Sequence, residues 1–260
     1  MGAYIAPGPC LRGMGGNLRA VTPAAASTGL PELPSVFTPV IPLREGGDAL
    51  SRAVALAPEH GAGTLAWVRS AARVEAAVVL EPEMPLAAAR SALYAAASAL
   101  GDALAAFGPP EVPMTFRWPG RVFVNGGEIG GARIAWPEGA AEDAVPDWLV
   151  VGVEARVSFP RGWEPGHGLH QTALVEEGWD PLEFSAAELT AAWARHLMAG
   201  LAEWQRPDAT GGFRRMAERY LARLERGEEG VRHGLDPATG DLVLERDGTR
   251  MRRALLEALA

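Results

Sequence analysis

The sequence contains no lysine; all 24 of its Lys-plus-Arg positions are arginine. This excludes any chemistry that needs a titratable side-chain amine, because a guanidinium keeps its proton at every useful pH. A GC-rich genome, which writes Arg and Ala in place of Lys, accounts for the general trend but not for its consequence at a site that requires an ammonium group. Cysteine is nearly absent as well. Cys10 stands alone, so an internal disulfide is excluded and a reducing, cytoplasmic setting is expected. No apolar run approaches the ~20 residues that would span a bilayer, so no membrane association is expected. Residues 1–33 are rich in Gly, Pro and small side chains and lack a continuous apolar core, which predicts a disordered extension and no signal peptide. The net charge is −8. No basic stripe interleaved with aromatics occurs, which argues against a nucleic-acid partner. Residues 203–260 are close to neutral, so the excess acid lies in the body of the chain.

What remains is a chain that is 48% hydrophobic, enough for one full core and a small appendage. The body is expected to begin near Ser35 and extend over 34–228, with an appendage at 229–260. Leu50, Ala53, Val54 and Ala57 share one face of a helix predicted from Gly47 to Ala57, with Pro58 ending it. Two strands, Thr64–Val68 and Val74–Leu80, are joined by the Arg69–Arg73 turn. From Pro85, a helical spacing of Leu86, Ala89, Leu93, Ala97, Leu100, Leu104 and Phe107 predicts one long helix ending at Gly108. Strands follow at Met114–Trp118, Val122–Val124, Gly131–Trp136 and Trp148–Val157, with Asn125-Gly126 marking a tight hairpin. Ser185 and Glu188 form a capping box ahead of the Leu189, Trp193, Leu197, Leu201 and Trp204 stripe. Phe213, Met216, Ala217, Tyr220, Leu221 and Leu224 form a second stripe. Val231–Leu235 and Asp241–Glu245 read as a hairpin followed by a short helix. The fold class is therefore α+β: a mixed or antiparallel sheet packed with helices, plus a small C-terminal hairpin and helix.

Three stretches carry the chemistry: Trp118-Pro-Gly-Arg121, then Gly127-Glu-Ile-Gly-Gly131, then Val150-Val-Gly-Val-Glu-Ala-Arg156. Gly130 and Gly131 sit where a side chain would obstruct something lying against the backbone: a ligand, a bulge or a neighbouring strand. Gly152 is expected to face the same way. In order and spacing, these stretches resemble the biotin/lipoate–protein ligase superfamily over roughly residues 36–205. Its members carry Trp-Pro-Asn-Asp, then Gly-x-Lys-[Leu/Ile]-[Ala/Gly]-Gly, then a strand ending Gly-x-Gly-[Ile/Leu]-Asn. Gly63-Thr-Leu-Ala-Trp67 falls where the family opens toward its Arg/Gly-rich adenylate loop.

The departures matter as much as the matches. In the family the lysine of the second motif neutralises the acyl carboxylate and the α-phosphate as the adenylate forms; the matching residue here is Glu128. Exchanging +1 for −1 beside two anions reverses a Coulomb interaction of several kcal/mol, in order of magnitude, in a partly dry site. Asn-Asp becomes Gly120-Arg121, the last Asn becomes Arg156, and the adenylate loop shrinks to Val68-Arg-Ser-Ala-Ala-Arg73. Arg69, Arg121, Arg133 and Arg156 are candidate carboxylate or phosphate contacts, with solvated strand-edge charges as the plain alternative. An arginine in such a place can grip an anion but cannot act as a base.

The resemblance thus implies a ligand site made of Trp67, Arg69, Trp118, Arg121, Glu128, Gly130, Gly131, Arg133, Gly152 and Arg156, with no catalytic residue assigned. It implies ATP (as Mg-ATP in an active enzyme) and biotin, lipoate or an octanoate-like acyl group as ligands, and a biotinyl or lipoyl acceptor protein as partner. Two readings follow. One is an ATP-dependent ligase or acyltransferase that delivers the group to a protein lysine. The other is a non-catalytic receptor of the same fold for a biotin-, lipoyl- or acyl-type ligand. The chain is not itself a carrier, since those groups are attached to lysine. His167-x-x-His170 has no accompanying Cys or His and is not read as a metal site. His196 reads as a half-buried helix residue, and Glu142-Asp143 and Glu176-Glu177 read as solvated faces. Core packing is the default for Trp67, Trp118 and Trp136.

Overall fold

The computed structural model describes residues 29–160, 162–163, 168, 170–206, 211–225, 227 and 229–260. Residues 1–28, with Cys10, and His167 of the His-x-x-His motif lie outside the described residues. The elements run β1 (Val40–Leu43), α1 (Ala49–His60), β2 (Leu65–Val68), β3 (Arg73–Leu80), α2 (Leu86–Ala89), α3 (Ala92–Phe107) and β4 (Met114–Arg117). They continue with β5 (Arg121–Val124), β6 (Gly127–Ala135), β7 (Leu149–Arg156), α4 (Ala186–Trp204) and α5 (Gly212–Leu221). β8 (Arg232–Leu235), β9 (Leu242–Arg246), β10 (Thr249–Arg253) and α6 (Leu255–Leu259) complete the chain.

Seven strands form one mixed sheet in the order β1-β2-β3-β7-β6-β5-β4. Only β1 runs parallel to its neighbour. Alternation along β3 and β7 divides the residues between two faces. Val74, Ala76, Val78, Val151, Val153 and Ala155 join the large core, to which α3 and α4 contribute Leu93, Leu100, Leu189, Trp193 and Leu197. The opposite face carries a smaller cluster under α1, built from Ala49, Ala53, Ala57, Ala77, Val79 and Val150. Beyond that cluster the second face becomes charged, and there the site lies.

Several sequence expectations change in detail. α1 starts at Ala49 and continues through Pro58 to His60. A proline removes only its own amide from the ladder, and Gly61 still donates to Ala57 O at 3.1 Å. The single helix expected from Pro85 is broken at Arg90-Ser91, where the buried Arg90 turns its guanidinium to Glu142 (Nη1–Oε1 2.6 Å). Glu142 is therefore an ion-pair partner rather than a purely solvated acid. Glu177 likewise accepts from Thr172 Oγ1 at 2.5 Å and Asn125 Nδ2 at 2.9 Å. β6 begins at Gly127, so Gly130 and Gly131 lie inside the strand and not at its start. β1, preceded by Pro39 and containing Pro42, is a strand beyond those expected from the sequence.

The strongest turn signal is met in full: Asn125 and Gly126 both have positive φ, and Val124 pairs with Gly127. The expected C-terminal hairpin is present as β8–β9, and β10 extends it to a three-stranded meander. Asp247-Gly248 supplies the two-residue turn between β9 and β10, again with both φ values positive. The meander docks on the body through Leu255, buried in the main core, and through Tyr94, whose hydroxyl donates to Gly240 O at 2.5 Å. At the other end, Leu30 and Leu33 pack against the same core.

Asp48 caps α1 by accepting from Ser51 N at 2.8 Å. That amide, with Arg133 adding a second attraction, holds the Asp48 carboxyl below its ordinary 3.8. Asp48→Ala is expected to lower stability by about 1 kcal/mol at pH 7. A carboxylate with a depressed folded-state pKa stabilises above its unfolded value and stops doing so as pH falls through the folded one. Urea midpoints of the two proteins should therefore converge as pH drops below 3.8. A gap that persists in acid would mean that the aspartate acts by packing and not by charge.

Candidate functional site

Charged residues alternate with apolar ones on β3 (Arg73, Glu75) and β7 (Glu154, Arg156), and the strand register sets them beside Arg133, Gly131 and Arg121 on one face. The result is a cleft of about 270 Å³ lined by Gly120, Arg121, Glu128–Arg133, Glu154, Arg156 and Gln171. Six of the ten expected site residues meet there: Arg121, Glu128, Gly130, Gly131, Arg133 and Arg156.

The other four lie elsewhere. Trp67 is buried in the main core on the opposite face of the sheet. Arg69 is exposed beyond β2, beside the 29–42 segment. Trp118 donates to the Tyr94 hydroxyl at 2.9 Å and lines the groove facing the C-terminal meander. Gly152 shares the face of Arg133, but a Cβ there would lie 3.3 Å from Leu50 Cδ1, so α1 covers it. Strand alternation or a turn sends Trp67, Arg69 and Trp118 to other surfaces, whereas Gly152 keeps the face and is covered by α1.

The cleft is already internally neutralised. Arg121 grips Glu128 with two donors, its Nε donating to Oε1 at 2.9 Å. Arg156 donates to Thr172 O at 3.0 Å and to Glu128 O at 3.4 Å, holding the 170–172 segment against the start of β6. Arg133 reaches Asp48 and Glu75, both at 3.4 Å. Glu75 is buried; it also accepts from Ala49 N at 2.8 Å and pairs with Arg73 Nε at 2.9 Å. Thus a protein carboxylate sits between the N-terminus of α1 and two guanidiniums, a position that suits an anion by both dipole and charge. None of Glu75, Arg73, Asp48, Glu154 and Gln171 is among the ten site residues that the resemblance implies. The signal for the strand residues was available, since charges at period two within apolar strands mark a polar face.

Gly130 and Gly131 of β6 are required by the backbone. Opposite them the β5–β6 register slips by one residue, so that Phe123 pairs with Glu128 and Val122 with Gly130. A Cβ on Gly130 would lie 2.1 Å from Glu154 O, and one on Gly131 would lie 2.3 Å from Gly120 O. Close strand approach explains both, and it also leaves this stretch of the cleft floor without side chains. No group of three or more His, Cys, Asp or Glu arranged to hold a metal occurs among the described residues. No helix among them is long and apolar enough to cross a membrane.

Residues 33–222 match the model of the biotin/lipoate A/B protein ligase family. A biotin–[acetyl-CoA-carboxylase] ligase from Paracoccus denitrificans is 28% identical over 196 residues, covering 74% of this chain and 72% of that protein. Among solved structures, a biotin protein ligase-like protein of unknown function from a Silicibacter species superposes with a TM-score of 0.73 at 28% identity, over 88% of this chain and 99% of that one. The biotin protein ligase of Aquifex aeolicus, solved with biotin and ATP, shares the fold with a TM-score of 0.61 at 15% identity, over 84% of this chain and 96% of that one.

Proposed function

The chain belongs to the biotin/lipoate A/B protein ligase family, and from that premise we propose that it is a cytoplasmic, non-adenylating member, which binds a small carboxylate ligand in the cleft without activating it. One observation carries this reading. Glu128, at the position that the motif resemblance gives to the family's lysine, is an anion committed to Arg121. Adenylation brings a carboxylate and a phosphate together and needs uncommitted positive charge where their charges meet. Here Arg121 is taken by Glu128, Arg156 by main-chain carbonyls, and Arg73 by Glu75. Arg133 has the longest contacts of the four, both at 3.4 Å, and its side chain remains 36% exposed. It is the natural seat for a ligand carboxylate. Apart from Ile129 and Ala132 the lining is polar or glycine, which favours a short or polar ligand over a long acyl chain.

The competing reading is an active ATP-dependent ligase that passes a biotinyl, lipoyl or octanoyl group to a lysine of an acceptor protein. The 28% identity to the Paracoccus ligase supports it. ATP–pyrophosphate exchange with Mg-ATP and biotin, lipoate or octanoate separates the two. Exchange at background together with saturable carboxylate binding supports the receptor, and exchange above background establishes the ligase.

Glu128→Lys provides a companion test. The change removes one anion and frees Arg121, so carboxylates are expected to bind roughly tenfold more tightly, equivalent to about 1.4 kcal/mol. Calorimetry showing unchanged affinity would place Glu128 outside the ligand's reach.

A further inference from the structure

A second cavity opens on the other face of the sheet, where α4 crosses the end of β3. Its volume is about 710 Å³, within the range of small-molecule sites. Leu80 and Leu149, paired across β3 and β7, form its floor, while Phe37, Met84, Leu201 and Trp204 contribute to its walls. The Phe37 wall is held in place by Gly63, whose positive φ and missing side chain let the backbone approach Val36; a Cβ there would lie 2.1 Å from Val36 O. No residue of the lysine-replaced cleft takes part in this cavity.

Its charge is one-sided. Among the described residues, the only ionisable side chains lining it are Glu81 and Glu83. Glu81 is oriented by Ala62 N, which donates to Oε1 at 3.1 Å and leaves Oε2 uncommitted by that bond. An apolar chamber with two aromatic walls and an acidic edge complements a ligand that is apolar in its body and cationic at its head. Carboxylates attract the cation, and indole and phenyl faces add cation–π attraction. We infer that this cavity is a binding site for a small amphiphilic ammonium compound, separate from the carboxylate cleft.

The probe is octyltrimethylammonium, titrated into the full-length protein by calorimetry below its micelle concentration, with octanoate as the head-group control. The cation is expected to bind at one site, about tenfold more tightly than octanoate. Glu81→Gln with Glu83→Gln keeps the acceptor for Ala62 N and removes both charges. It should weaken cation binding about tenfold while leaving carboxylate binding at the Arg133 cleft unchanged. Ala202→Trp, an exposed position at the mouth, should abolish cation binding without disturbing the core. Three results would each overturn the assignment: octanoate binding as tightly as the cation at this site, cation affinity indifferent to the double substitution, or no saturable binding. Cation binding that survives Ala202→Trp would also reject it, by placing the probe elsewhere. Because the cleft is tested with carboxylates and Glu128→Lys, either proposal can fail alone.

Discussion

Replacing Gly130 with alanine is expected to cost roughly 3–5 kcal/mol, a large share of the stability of an ordinary domain. Gly130 has φ +147°, a conformation that L residues rarely adopt, and its added Cβ would meet Glu154 O at 2.1 Å and Ala155 Cα at 3.2 Å. Both obstacles are backbone of β7, the central partner of β6, so relief requires opening the ladder from Gly130 to Ala135. No side-chain rotation suffices. Urea unfolding of the ligand-free protein should show a large drop in midpoint. A stable Gly130→Ala protein with impaired ligand binding would instead show that the glycine exists for the ligand and not for the strand.

Glu75→Ala is expected to lower stability by about 2–3 kcal/mol, because it leaves two guanidiniums and the first amide of α1 without their shared acceptor. Removing one partner of a fully buried pair costs about 3–5 kcal/mol; the figure here is smaller because the Arg73 and Arg133 side chains are 31% and 36% exposed and water screens them. Glu75→Gln keeps an acceptor for Ala49 N and loses only the charge, so its midpoint should fall between those of the other two proteins. An alanine variant within about 0.5 kcal/mol of the parent would mean that the network is not holding α1 to the sheet. The alanine variant also releases Arg133, and carboxylate affinity measured on it reports how far Glu75 competes with an external anion.

Much of the architecture was legible in advance, for identifiable reasons. Strands with β-branched runs, the capping box at Ser185 and the Asn-Gly turn are decided within a few residues of chain, and each stands where periodicity and turn chemistry put it. The break at Arg90-Ser91 was not legible because the partner that Arg90 meets there, Glu142, lies far along the chain. Asp247-Gly248 carries the same turn signal as Asn125-Gly126, but the five residues of β10 are all exposed, so no apolar alternation marks that strand in the sequence.

The site divides in the same manner. Sequence order alone fixed that the position matched to the family's lysine is acidic, that no other lysine exists to replace it, and that arginines surround it, since these are statements of composition and spacing. Which arginines meet a ligand was decided only by the pleat of the sheet and the register between strands. A one-residue alternation puts Trp67 in the core and Glu75 under α1, and the slip opposite Ile129 brings Glu128 to the face of Arg121. Side-chain direction in a strand reverses at every residue, so a motif can specify what a site contains while tertiary pairing decides which of its members face one another.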